Sequence, residues 1–183
     1  EEDLSRITGE AAITVATDSA ARFLTVRPHS EQEVRQNLAK KETPPAVIEA
    51  AIERLTAFGY LDDRAFADLW VRNRLTYKPT SPRALRYELR QKGIANDIVD
   101  MVLADLDAED SAYRAAQAQS RRLRGTERRE FEKKLGAFLQ RRGFSYDVVR
   151  TVLRRLIQEL DADDPEFFAG PESEREDTTD MMD

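Results

Sequence analysis

The chain is 183 residues long, 40% hydrophobic and 35% charged, with no cysteine and a single histidine, His29. So high a charged fraction, against roughly 25% in an average globular chain, suits thin, exposed helical layers better than one compact α/β core. Lack of cysteine excludes disulfide frameworks, thiolate metal sites and thiol nucleophiles, and one histidine leaves no His-based triad or metal cluster. Neither a metal nor a cofactor is expected. No apolar run approaches the ~18 residues of a membrane span and no signal-peptide core is visible, so a soluble, cytoplasmic protein with no membrane partner is expected.

The net charge of −6 is unevenly spread. Residues 161–183 hold ten acids and one base, whereas residues 108–160 hold 13 bases and 7 acids. The folded body is therefore basic, most strongly near its end, and the acidic balance comes from the last segment.

In chain order, almost every segment repeats its apolar residues with a period of 3.6. Ser30 with Glu33 forms a capping-box pattern, and Pro44-Pro45 suits the first turn of the next helix. Val47, Ile48, Ala51, Ile52 and Leu55 make one helical stripe, repeated by Ile98, Val99, Val102, Leu103 and Leu106 and again by Val148, Val149, Val152, Leu153 and Leu156. Gly59, Gly93, Gly125 and Gly143 sit just past such stripes, where the backbone turns left-handed. The pattern predicts an all-α fold with helices near 10–27, 31–41, 45–58, 63–76, 82–92, 96–106, 109–124, 127–142 and 146–160.

These helices form an internal repeat of about 50 residues. A shift of 51 lays Ser30 on Ser81 and Leu38 on Leu89. A further shift of 50 lays Leu89, Lys92, Gly93 and Ile94 on Leu139, Arg142, Gly143 and Phe144. Three tandem three-helix repeats are expected at 10–60, 61–107 and 108–160, forming an elongated, curved molecule. A flexible N-terminus over 1–9 and a disordered acidic tail over 161–183 flank them. In the first repeat Lys41-Glu42-Thr43 replaces the basic–Gly–apolar turn of the other two, which predicts a looser turn there.

The string Gly59-Tyr60-Leu61-Asp62-Asp63-Arg64-Ala65-Phe66-Ala67 comes after the Ser30–Leu38 helix. It precedes a Leu-x-x-Glu-Leu-x-x-Lys-Gly-Ile element (Leu85–Ile94) and an Arg-Arg-Gly-Phe-x-Tyr element (Arg141–Tyr146). In order and spacing these resemble the RecX family, bacterial regulators of the RecA recombinase, over about residues 20–160. The resemblance implies the tandem helical-repeat fold and no catalytic activity. It also implies binding to RecA and its filament, with inhibition of ATPase, strand-exchange and coprotease activities, and so a role in recombination, DNA repair and the SOS response. Gly59, Tyr60, Leu61, Asp62, Asp63, Gly93, Gly143 and Phe144 carry the family motif as structural residues. A monomer is expected.

Read residue by residue, Asp62 and Asp63 suit helix N-terminal capping better than metal or acid–base chemistry, and Tyr60, Leu61, Phe66 and Trp70 suit packing. His29, between a proline and a cap serine, reads as an exposed connector. No Walker or dinucleotide loop and no nucleophile elbow is present, so catalysis is not expected. The binding candidates are cationic. Arg121, Arg122, Arg124, Arg128, Arg129, Lys133, Lys134, Arg141, Arg142, Arg150, Arg154 and Arg155 fall within 35 residues, with Arg121, Arg124 and Arg128 spaced to share a helical face. Arg72, Arg74 and Lys78 form a weaker cluster. Such faces contact phosphates or the acidic surface of a protein, which makes single-stranded DNA a second candidate partner. The alternatives are a helix-turn-helix DNA-binding protein, since each repeat joins two helices by a tight turn, and a passive helical scaffold. Within the tail, Phe167-Phe168 is the one docking element; a tail folded over the basic third repeat would weaken polyanion binding, and the alternative is a merely solubilising end.

Overall fold

The computed structural model describes residues 2–169, with side chains from residue 9 onward. These residues form nine α-helices and no strand: α1 (Glu2–Leu24), α2 (Glu31–Ala39), α3 (Pro45–Ala57), α4 (Asp63–Tyr77), α5 (Pro82–Gln91), α6 (Asn96–Leu103), α7 (Ala108–Ser120), α8 (Arg128–Arg141) and α9 (Tyr146–Asp163). Two ends differ most from expectation. Helix α1 begins at Glu2, so residues 2–9 are helical rather than a flexible lead; a lone interior glycine at Gly9 costs only about 1 kcal/mol and does not stop a helix. Helix α7 stops at Ser120 and gives way to a 3-10 turn over Arg121–Leu123.

Caps explain most of the starts. The Ser30 side chain accepts from the Glu33 backbone N–H while the Glu33 carboxylate accepts from the Ser30 backbone N–H. Asp107 caps α7 and Ser145 caps α9. Asp62 accepts from the Ala65 N–H at the head of α4, and Asp63 reaches across to accept from the Glu31 N–H at the head of α2. The tandem carboxylates thus cap two helices.

The chain divides into two compact units. The first comprises residues up to Thr76 together with Leu85–Asp105, the second Tyr77–Ala84 with the residues from Leu106 onward. In the first, α1, α2 and α3 enclose Ala20, Val34, Leu38, Ala51, Leu55 and Leu61, each at most 2% exposed. In the second, α7, α8 and α9 enclose Ala116, Phe131, Leu135, Leu139, Val152 and Leu156.

A serine–glycine joint recurs in both units. In the first, the Ser30 hydroxyl donates to the Lys92 carbonyl at 2.6 Å, and a Cβ on Gly93 (φ +79°) would overlap the Gln32 side chain. In the second, the Ser81 N–H donates to the Arg142 carbonyl at 3.1 Å, and a Cβ on Gly143 (φ +86°) would lie 2.7 Å from Ser81 Oγ and 2.9 Å from Ala84 Cβ. Both glycines therefore answer to a left-handed backbone and to a close approach. The corresponding turn of the first repeat has Glu42 at φ +60° and keeps the same backbone bonds: Glu42 N–H to Ala39 and Thr43 N–H to Leu38, as Gly93 to Arg90 and Ile94 to Leu89. It is not looser. Glu42 is exposed, and the left-handed conformation is tolerated there at a cost of about 1 kcal/mol.

The disorder expected from Asp161 does not begin there. Helix α9 continues to Asp163, and Asp164–Ala169 turns back on the second unit. The Gly125 N–H donates to the Phe167 carbonyl at 2.9 Å and the Ala169 N–H to the Thr126 carbonyl at 3.1 Å. Phe167 is 4% exposed and meets Phe131 edge-on at 5.7 Å, with Phe168 edge-on to Phe131 at 5.1 Å. Burying such a ring is worth about 2–3 kcal/mol, which outweighs the acidic composition around it. The remainder of the tail, 170–183, lies outside the described residues.

Candidate partner and nucleic-acid interface

The structure sorts the cationic candidates into those the fold uses and those it leaves open. Arg74 donates to Glu88 at 2.7 Å and stacks over Trp70, whose indole N–H donates to the same carboxylate. Arg142 donates to the Pro79 carbonyl and lies over Phe138, the counterpart of Lys92, which pairs with Glu33 at 2.6 Å and lies over Trp70. Arg124 pairs with Asp164 and lies over Phe167; Arg128 pairs with Asp161 and lies over Phe168. Lys134 pairs with Glu130, and Arg155 with Glu159 while covering Tyr113. These residues hold the molecule together or are neutralised.

Arg72, Lys78, Arg121, Arg122, Arg129, Lys133, Arg141, Arg150 and Arg154 are exposed and make no ion pair among the described residues. Arg121, Arg124 and Arg128 do not share a helical face. The 3-10 turn and the break at Gly125 put Arg121 and Arg124 outside α8, which starts at Arg128. Arg129 and Lys133 share one outward face of α8, four residues apart, and Arg150 and Arg154 share one of α9.

Arg150 and Arg154 border a groove of about 500 Å³ between α8 and α9. Its floor is Val149, Leu153 and Ile157, its walls carry Arg128 and Glu132 from α8 and Asp161 from α9, and Tyr146, 67% exposed, stands at one end. The groove has a cause in the repeat. Arg35 on α2 bridges to Glu49 on α3 at 2.9 Å, and Arg86 on α5 bridges to Asp100 on α6. Carried into the third repeat, those positions are Gly136 and Arg150. A glycine stands where the bridging arginine would be, and an arginine stands where its carboxylate would be. The cleft is consequently open, and Arg150 makes no ion pair among the described residues. The 51- and 50-residue shifts contained this signal, but it lies in polar positions rather than in the apolar stripe.

Sequence reasoning also missed an exposed basic–aromatic stripe on α5, Arg83, Tyr87 and Arg90, legible from its i, i+4, i+7 spacing. It misplaced His29, which is 6% exposed, stacks on Phe23 at 3.7 Å and places Nδ1 3.1 Å from Glu33. Burial and the Arg27 charge lower the His29 pKa below its ordinary 6.5. Burial raises that of Glu33, but hydrogen bonds from Arg27 and Lys92 outweigh it and bring the carboxyl down to about 2. Burial raises that of Asp63. Of the motif's apolar residues, Leu61 and Phe66 are buried, whereas Tyr60 is 68% exposed. Against a helix-turn-helix reading, Glu49, Glu53, Asp97 and Asp100 expose acids on α3 and α6. Among the described residues no group of three or more carboxylates or imidazoles is placed to hold a metal, and no helix is long and apolar enough to cross a membrane.

Three family models match in tandem: the first three-helix domain of RecX over residues 16–55, the second over 62–103 and the third over 107–153. A regulatory protein RecX from Chlorobium phaeobacteroides (strain BS1) is 38% identical over 143 residues, covering 78% of this chain and 94% of that protein. Among solved structures, a regulatory protein RecX superposes with a TM-score of 0.71 at 25% identity, over 83% of this chain and 78% of that one. RecX from Lactobacillus salivarius superposes with a TM-score of 0.67 at 23% identity, over 84% and 99%, a likeness of fold.

Proposed function

The chain belongs to the RecX family of regulatory proteins, and from that premise we propose that it binds RecA and its filament on single-stranded DNA as a non-enzymatic monomer. Binding inhibits ATP hydrolysis, strand exchange and coprotease activity, and so tempers recombination and the SOS response. The observation that carries this reading is the Arg150–Arg154 face, without an ion pair among the described residues, beside an open groove, where the other two repeats close the position of Arg150 with an ion pair. Its chemistry fits an acidic protein surface or a run of phosphates. The open bases Arg121, Arg122, Arg129 and Lys133 of the same unit extend the contact, and affinity rests on a few such arginines and an apolar anchor rather than on area.

The test is ATP hydrolysis by the cognate RecA on single-stranded DNA, titrated with this protein. Loss at substoichiometric amounts supports action at filament ends, and loss near one molecule per few recombinase subunits supports occupancy along the filament. An Arg150→Glu/Arg154→Glu variant with an unchanged circular dichroism spectrum inhibits about tenfold less well. No effect of the unaltered protein at any ratio would sink the proposal.

A further inference from the structure

The strap over Asp164–Ala169 leaves the chain beside the groove. Phe168 lies under the Arg128 guanidinium, which is itself a wall of the groove, and the Ala169 N–H is tied to Thr126, two residues before Arg128. The last segment, residues 170–183, carries six acids, one base and the apolar pair Met181-Met182. The groove offers the complement: a floor of Val149, Leu153 and Ile157, and two bases, Arg150 and Arg154, that make no ion pair among the described residues. Within the same unit, Asp161 and Asp164 already neutralise Arg128 and Arg124, so acids that follow α9 have a precedent for pairing with the arginines of this unit. Length permits it. Fourteen residues reach about 46 Å when extended, and α9 from Asp161 to Tyr146 measures only about 22 Å.

We propose that residues 170–183 of this chain fold back into the α8–α9 groove, setting their acids against Arg150 and Arg154 and masking that face from polyanions and from an acidic partner. The masking rests on the binding role assigned to this face, whereas the docking does not. Because the segment is tethered at the groove, its effective concentration is on the order of millimolar, and even weak contacts populate the docked form. A partner presenting more negative charge displaces it, so the tail sets a threshold that weak or isolated polyanions do not cross.

The lack of any cysteine allows a single nitroxide to be placed on the full chain through Thr179→Cys. The expected result is selective broadening of the Arg150 and Arg154 amide resonances, lost in an Arg150→Glu/Arg154→Glu background. Broadening absent from α9, or undiminished in that background, would overturn the docking, and broadening that fades on dilution would assign it to another copy. In parallel, a chain ending at Ala169 binds an oligothymidine about tenfold more tightly than the full chain at low salt, with most of that gain gone once Arg150 and Arg154 are changed to Gln. Equal affinity with and without the segment overturns the masking. The label reads out without any recombinase, so a protein that leaves RecA unaffected would still have its docking decided.

Discussion

The α5–α6 and α8–α9 pairs are built on the same apolar stripe and the same glycine turn, yet one is sealed and the other is not. Arg86 spans α5 and α6 to Asp100, as Arg35 spans α2 and α3 to Glu49, while α8 and α9 present Gly136 and Arg150 at those places. The contrast separates two kinds of position in a repeat. Those that seat one helix on the next turn are held by close approach, and those across the outer seam can be given up to make a surface.

The severest way to break the comparison is to attack what the pairs share. Gly93→Val and Gly143→Val each combine a left-handed backbone with a blocked approach, and each costs about 2–4 kcal/mol of stability in chemical denaturation. Ser30→Ala and Ser81→Ala sharpen it. The Ser30 hydroxyl both caps α2 and donates to Lys92, so its loss costs about 1–3 kcal/mol. Ser81 makes its cross-contact through the backbone, which alanine retains, and loses only a cap worth about 1 kcal/mol. A swap of the differing positions, Gly136→Arg with Arg150→Asp, closes the third seam; it leaves the melting temperature within a few degrees and weakens the proposed RecA inhibition about tenfold.

Acid sensitivity is built into the first joint, where His29 and Glu33 meet. His29 is held neutral in the fold, so the unfolded chain takes up a proton first and stability falls as the pH drops past about 6.5. Glu33 is held ionised; its contribution is full above about 4.5 and disappears as the pH falls toward about 2. A melting-temperature profile therefore declines in two stages. His29→Phe flattens the upper stage and Glu33→Gln the lower. The smallest expected effect belongs to Glu42→Gly, a gain of under about 1 kcal/mol, since relief at φ +60° is partly offset by a freer unfolded chain.

The apolar stripes made the helices, the triple repeat and the family legible, because burial on one face constrains every third or fourth residue. Charged positions were harder to read, since an arginine is written identically whether it binds a partner or a neighbouring carboxylate. Arg124 and Arg128 look open in the sequence, yet Asp164 and Asp161, from a segment whose acidity suggests disorder, hold them. His29 misleads for a related reason: its flanking proline and serine signal a connector, but Phe23 and Glu33 that bury it are contributed by other turns of chain. The groove itself lay in the polar register of the repeat, where Gly136 and Arg150 break a pattern that only a pair of bonded side chains makes visible.

Glu42 has one more consequence. Stacking a serine-bearing helix onto a glycine turn is a head-to-tail contact, and contacts of that kind continue indefinitely when both faces stay open. At Gly93 and Gly143 the missing Cβ is the socket that admits the helix. At Glu42 that space holds a charged side chain, so the turn of the first repeat has no socket to seat a serine-bearing helix as Gly93 and Gly143 do. The turn has the shape of a joint and the chemistry of a stopper.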